Sequence, residues 1–249
     1  MSPSQTPRLA RSFEKMGARM SITVRPMSWA SELKRRSFPP RFNVALNDFT
    51  GHSANRLLPT GTVTLLMADI EGSTLIWETQ PDEMTAALAT MDRTLAELVH
   101  INNGVCPIEQ GEGDSFVVAF ARASDAVACA LALQQADLSP IRLRIGLHTG
   151  EIKLRDKGKY MGPTINRAAR LRELGHGGQT LLSGTTSYLV YESLPEHAWL
   201  IDFGRHALRD LSRPERVVQL CHPDLPNAFP PLRTRPTTSS ADLSAANST

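Results

Sequence analysis

The chain is poor in cysteine and in aromatic residues, and it has no long apolar run. Three cysteines, Cys106, Cys129 and Cys221, lie far apart. That spacing fits neither a zinc motif nor a disulfide framework, and it predicts a reducing, cytoplasmic setting. No apolar stretch approaches the roughly 18–20 residues of a spanning helix, so no membrane partner is expected. The N-terminus is basic but lacks an apolar segment, so it does not read as a secretion signal. There is no internal repeat. The basic stretch "SELKRRSF" lacks the interleaved aromatics on which bases stack, and no helix-turn-helix pattern follows residue 221. Nucleic acid is therefore not an expected partner.

What is present divides the chain in three. Residues 1–59 carry ten Lys/Arg against three Asp/Glu, whereas residues 60–222 carry fifteen against twenty. Residues 1–56 show no sustained periodicity and read as a disordered basic arm, with a short helix near residues 27–36. Residues 57–221 read as one folded domain. Residues 222–249 are Pro-rich, then rich in Ser, Thr and Ala, and read as a disordered linker-like tail.

Within the domain, "TVTLLMADI" is apolar almost throughout, as a central strand is. "PDEMTAALATMDRTLAELVHINNG" repeats Met84, Leu88, Met91, Leu95 and Leu98 at steps of three and four, with Pro81 opening the helix and Gly104 following its end. "VCPIEQ" and "SFVVAF" read as two strands of a hairpin around "GEGD". A second helix ("ASDAVACALALQQA"), the strand "IRLRIGLHTGEI" and a third helix ("GPTINRAARLRELG") follow. "QTLLS", "GTTSYLVYE", "HAWLIDFG", "HALRDL" and "ERVVQLC" add a strand, a short helix and closing strands. The predicted fold is α+β. It has a ferredoxin-like βαββαβ core, helices on one face of a mainly antiparallel sheet, and further C-terminal α-β elements. Trp77 and Trp199 read as core residues.

Two carboxylates stand out. Asp69 ends the first strand and Asp114 lies in the hairpin turn, and this topology makes those elements neighbours. One reading is a cap and a turn residue. The other is a pair of oxygen donors suited to Mg²⁺ or Mn²⁺, where two ions about 3.5–4 Å apart assist phosphoryl transfer. The turn "EGST" offers backbone N–H groups to phosphate. Asn166 and Arg170, four apart, share one face at the start of the third helix. They could stabilise an oxyanion, although spacing alone favours an ordinary surface pair.

"LLMADIEGST", "EGDSF", "RIGLHTGEI", "GPTINRAARL" and "LRDLSRPERVVQL" occur in that order. Together they resemble the catalytic domain of class III nucleotidyl (adenylate/guanylate) cyclases over about residues 58–221. The resemblance is strongest to the actinobacterial branch, here in stand-alone form. It implies conversion of ATP, or GTP, to a 3′,5′-cyclic nucleotide and pyrophosphate, with two Mg²⁺ or Mn²⁺ per site. It also implies a homodimer with sites at the interface, or a heterodimer with another cyclase domain. Asp69 and Asp114 match the metal aspartates, with Ile70 beside them. The backbone of Ile70, Glu71, Gly72, Ser73 and Thr74 matches the part that holds the triphosphate. Asn166 and Arg170 match the transition-state pair, and Arg209 stands where the family has a lysine on the terminal phosphates. Two positions depart from the pattern. Gln110 stands at the base-selecting lysine. Lys159 stands at its acidic partner, unless the alignment slips and Asp156 serves there. These departures leave base choice open. They also admit an alternative: a weak or inactive cyclase-like module that binds nucleotide, dimerises and regulates another protein.

Overall fold

The computed structural model describes residues 58–107, 114–155 and 159–233. The arm expected over 1–56, its short helix, Gln110 and Asp156 lie outside the described residues. Strand β1 (Gly61–Ile70) is the axis of the fold. It pairs antiparallel on one side with β2 (Ser115–Phe120) and on the other with β3 (Leu143–Arg155). With neighbours on both edges and layers on both faces, β1 is buried almost throughout from Val63 onward. That accounts for its unbroken apolar run. The remaining strands are β4 (Lys159–Met161), β5 (Thr180–Ser183), β6 (Trp199–His206) and β7 (Glu215–Cys221). The sheet order is β2-β1-β3-β5-β7-β6, with β4 paired to β3 and β5 parallel to β3.

The hairpin keeps its place, and among the described residues its first strand is reduced to one bridge, residues 108–110 lying outside them. Val105 forms a single bridge to Ala119 on the outer side of β2. Pro107 then removes a donor that a longer ladder would need. The ferredoxin-like neighbour order is thus retained. "HALRDL" is not a closing strand: β6 ends at His206, and Asp210 turns the chain with φ 60°.

Helices α1 (Ser73–Thr79) and α2 (Pro81–Ile101) follow β1, and α3 (Ala123–Gln135) follows β2. Pro81 opens α2, with Asp82 and Glu83 in the first turn and His100 in the last, each suited to the helix dipole. Met84, Ala87, Met91, Leu95 and Val99 of α2 are buried, in one core with Val127 and Leu131 of α3 and Leu66, Phe116, Val118 and Ile145 of the sheet. Leu88 and Leu98 are half-buried beside it. Trp77 also packs there, whereas Trp199 lies on the edge strand and is 40% exposed. Helix α5 (Gly184–Val190) is capped by the Ser183 side chain, which accepts from the Thr186 N–H.

Not every helix lies on one face. Helix α4 (Pro163–Leu174) covers the opposite face through Ala168, Leu171 and Leu174. Gly146 is why it can lie so close. A Cβ there would stand 2.5 Å from the Arg172 backbone nitrogen and 2.6 Å from the Ala168 carbonyl oxygen. No side chain fits between β3 and α4 at that crossing.

The ordered chain also continues past Cys221, where the domain was expected to end. Residues 222–233 fold back onto the domain through Asn227, Phe229 and Leu232. Their proline content reads as linker, but specific side chains anchor them. Among the described residues no helix is long and apolar enough to cross a membrane.

Candidate active site

Asp69 lies one residue from the end of β1, opposite Ser115 of β2 and Arg144 of β3. Its carboxylate is 7% exposed as a residue and accepts two hydrogen bonds from Arg144. Nε donates to Oδ1 at 2.7 Å and Nη2 to Oδ2 at 2.6 Å. Arg172 adds a second cation, its Nε 3.3 Å from Oδ2. Asp114 immediately precedes Ser115, the cross-strand partner of Asp69, so the hairpin delivers it to the same end of the sheet. Burial works against the Arg144 charge. The Asp69 hydrogen bonds and the carboxylates of Asp69, Glu71 and Asp114 outweigh that and raise its pKa. Three carboxylates thus favour the charge of one guanidinium, Asp69 by direct contact.

The turn after β1 begins with Ile70 and Glu71. The Glu71 N–H donates to the Arg142 carbonyl at 3.0 Å. Gly72 adopts φ 65°, a left-handed conformation that glycine reaches without strain. Ser73 and Thr74 open α1, whose first internal bonds run from Leu75 and Ile76 to the Gly72 carbonyl. The earlier N–H groups in the turn have no intrahelical acceptor.

Helix α4 carries the other residues. Asn166 is exposed in its first turn, and Arg170 is on the same face, one turn on. The Arg170 guanidinium donates to Glu173 at 2.7 Å, to Asp210 Oδ2 at 2.9 Å and to the Arg209 carbonyl at 3.2 Å. Arg209 pairs with the same two carboxylates, at 3.6 Å to Glu173 and 3.3 Å to Asp210. The structure thus gathers Arg170 and Arg209 into one cluster. Lys159 lies on β4, opposite Arg155.

The two groups are held apart by helix geometry. Residues two apart on a helix project about 200° from each other. Arg172 reaches Asp69, and Arg170 reaches the loop at 209–210. A single chain therefore places the Asp69 cluster at the end of β1 and the Arg170–Arg209 cluster on the other side of α4.

Sequence reasoning missed Arg144 and Arg172. Arg144 had a faint signal: a charge within the alternating strand "IRLRIGLHTG". Arg172 had none, because its reach depends on the close packing at Gly146.

The chain's sequence and fold have clear relatives. Residues 57–197 match the family described as the adenylate and guanylate cyclase catalytic domain. The uncharacterised protein Rv0891c of Mycobacterium tuberculosis is 59% identical over 196 residues, covering 79% of this chain and 68% of that protein. Rv1359 from the same organism, also uncharacterised, is 49% identical over 184 residues, covering 72% and 73%. Among solved structures, an adenylate cyclase of Trypanosoma brucei, studied in its monomeric state, superposes with a TM-score of 0.61. It is 28% identical, over 72% of this chain and 95% of that one. The ordered motifs, the mixed sheet and these likenesses agree: the chain belongs to the family of adenylate and guanylate cyclase catalytic domains.

Proposed function

We propose that the protein is a cytoplasmic nucleotidyl cyclase that converts ATP, or GTP, to a 3′,5′-cyclic nucleotide and pyrophosphate as a homodimer for intracellular signalling. The observation that carries this reading is the separation of the two clusters. One chain has carboxylates without the Asn166–Arg170 pair beside them, and a second copy would bring that pair to them. The resulting dimer has two-fold symmetry and up to two equivalent sites.

The donor set fits hard divalent cations. Asp69 and Asp114 supply carboxylate oxygens at adjacent strand ends, and the Ile70 carbonyl is the same kind of donor. A carboxylate has about four lone-pair sites, so Arg144 and Arg172 leave Asp69 capacity for a cation. Mg²⁺ or Mn²⁺ there would lower the pKa of the attacking hydroxyl and offset charge on the phosphates. The ribose 3′-oxygen forms a bond to the α-phosphorus, the α–β bridging bond breaks, pyrophosphate leaves and the hydroxyl proton passes to water. Asn166 orients the ribose. Arg170 meets the charge that grows on the α-phosphate, Arg209 holds the terminal phosphates, and the 70–74 turn offers backbone N–H groups. Gln110 and Lys159 stand at the positions assigned to base selection, and the amide of a glutamine can both donate and accept.

One observation favours the second reading, a weak or inactive cyclase-like regulator. Two guanidiniums on Asp69 compete with any cation for its oxygens. Incubating the purified full chain with Mn²⁺ and either ATP or GTP separates the two. Cyclic product supports the cyclase reading and identifies the base. No product from either nucleotide, with nucleotide binding retained, supports the regulator.

A further inference from the structure

The Glu71 side chain does not face the turn it belongs to. Its carboxylate lies against Gly177, where an added Cβ would stand 2.5 Å from Oε2. Arg142 approaches Oε2 at 4.0 Å, and Arg233 Nη2 donates to Oε1. Arg233 is the last described residue, 162 positions further along the chain. The contact exists only because the preceding segment is fastened down along its length.

That fastening begins directly after β7. The Gln219 amide donates to the Asn227 carbonyl at 2.9 Å. The Asn227 side chain closes the loop, accepting from the His222 N–H at 3.1 Å and donating to the His222 and Leu225 carbonyls. The Phe229 ring stacks on His176, with centroids 6.4 Å apart and planes within 7°. Leu232 packs against the Leu171, Leu174 and Leu208 cluster. The Arg233 N–H donates to the Leu174 carbonyl at 2.9 Å, satisfying a carbonyl at the end of α4. His176 joins both ends in one tautomer: its Nε2–H donates to the Pro231 carbonyl at 3.0 Å, and its Nδ1 accepts from Arg233 Nε at 3.3 Å.

We propose that residues 222–233 form a strap whose terminal Arg233 is a positioning residue for the 71–74 turn, so that the chain's C-terminal segment tunes nucleotide affinity. An exposed ion pair adds little to stability, so the value of this one lies in where it holds Glu71. The turn's other restraints are the Glu71 N–H bond to the Arg142 carbonyl and the half-buried Ile76 and Trp77 of α1; Gly72 is at positive φ, and α1 is short and has no fully buried residue. Arg233 links it to the end of α4, the helix that carries both Arg170 and Arg172. A pull, modification or partner acting beyond residue 233 reaches the turn through this contact. The effect on affinity rests on the reading of that turn as the holder of the triphosphate. The mechanical link does not.

The test uses the full chain and its Arg233→Gln, Arg233→Lys and Glu71→Gln variants, read by hydrogen exchange and by Mn²⁺-dependent turnover. In Arg233→Gln, exchange at the Leu75 and Ile76 amides is expected to speed up about two- to fivefold, the scale of an exposed ion pair. Exchange in α2 and α3 stays unchanged. KM rises by a similar factor at near-constant kcat. Lysine restores both, and Glu71→Gln reproduces the loss without adding to it in the double variant. Unchanged exchange at Leu75 and Ile76 in Arg233→Gln overturns the proposal, whatever the turnover. If the wild-type chain makes no cyclic product, exchange alone decides the strap, and only the cyclase reading fails.

Discussion

Asp69 and Asp114 are both assigned to the metal site, yet their removal should affect the fold very differently. The Asp69 side chain is 10% exposed and holds Arg144 and Arg172, which are 20% and 15% exposed. In Asp69→Ala two largely buried guanidiniums lose the carboxylate they share, and only the attraction of Glu71 and Asp114 on Arg144 remains. Breaking a buried pair in this way costs about 3–5 kcal/mol. Because the arginines keep some contact with water, the lower end, about 3 kcal/mol, is expected. For a folded unit of this size each kcal/mol lowers Tm by roughly 2–4 °C, so Asp69→Ala should melt about 6–12 °C below wild type. Asp114 is half-buried in a turn. Its change to alanine should fall within about 0.5 kcal/mol, or roughly 1–2 °C. Both variants should lose metal-dependent turnover. Thermal melts followed by circular dichroism in metal-free buffer make the comparison. If Asp69→Ala melts within about 2 °C of wild type, the reasoning about the buried pair is refuted.

Three further outcomes follow from particular contacts. Arg170→Ala should lower kcat by about two to three decades, the scale of one lost transition-state donor, and a change confined to KM would contradict its role. Gly146→Val forces a side chain between β3 and α4. It should destabilise the protein by about 1–3 kcal/mol in urea unfolding, with Arg172 displaced from Asp69. His148 is buried, its Nδ1 2.8 Å from Ser183 Oγ. Burial, with the Arg167 charge adding to it, pushes its pKa down from 6.5 to about 4. The unfolded chain therefore binds the extra proton first as pH falls. The resulting loss of stability sets in below pH 6.5 and is complete near pH 4, reaching about 3 kcal/mol. His148→Gln should flatten that part of the wild-type stability profile, and a parallel profile would contradict the assignment.

The frame of the fold was legible because its signals are local. The apolar run of β1 requires burial on both faces, and the Met84, Met91, Leu95 spacing behind Pro81 can only be a helix with one apolar side. Elements set by tertiary contact were not legible. Helix α1 has no buried residue and so no periodicity to read. The 222–233 strap has linker composition, and single side chains such as Asn227 and Phe229 hold it. Trp199 looks like core material but sits on the edge strand. For the candidate site, motif order singled out Asp69, Asp114 and Arg170. The arginines on Asp69 depend on strand register and on the close crossing at Gly146, neither of which a sequence spells out.

The central claim is that two chains build each site from complementary halves. Mixing inactive Asp114→Ala protein with inactive Arg170→Ala protein tests it most directly. A mixed dimer holds one site with both defects and one with neither. If the chains exchange freely, half the dimers are mixed, and turnover should recover to about one quarter of the wild-type rate per chain. A mixture that stays as inactive as its components, although mixed dimers form, would contradict the shared site.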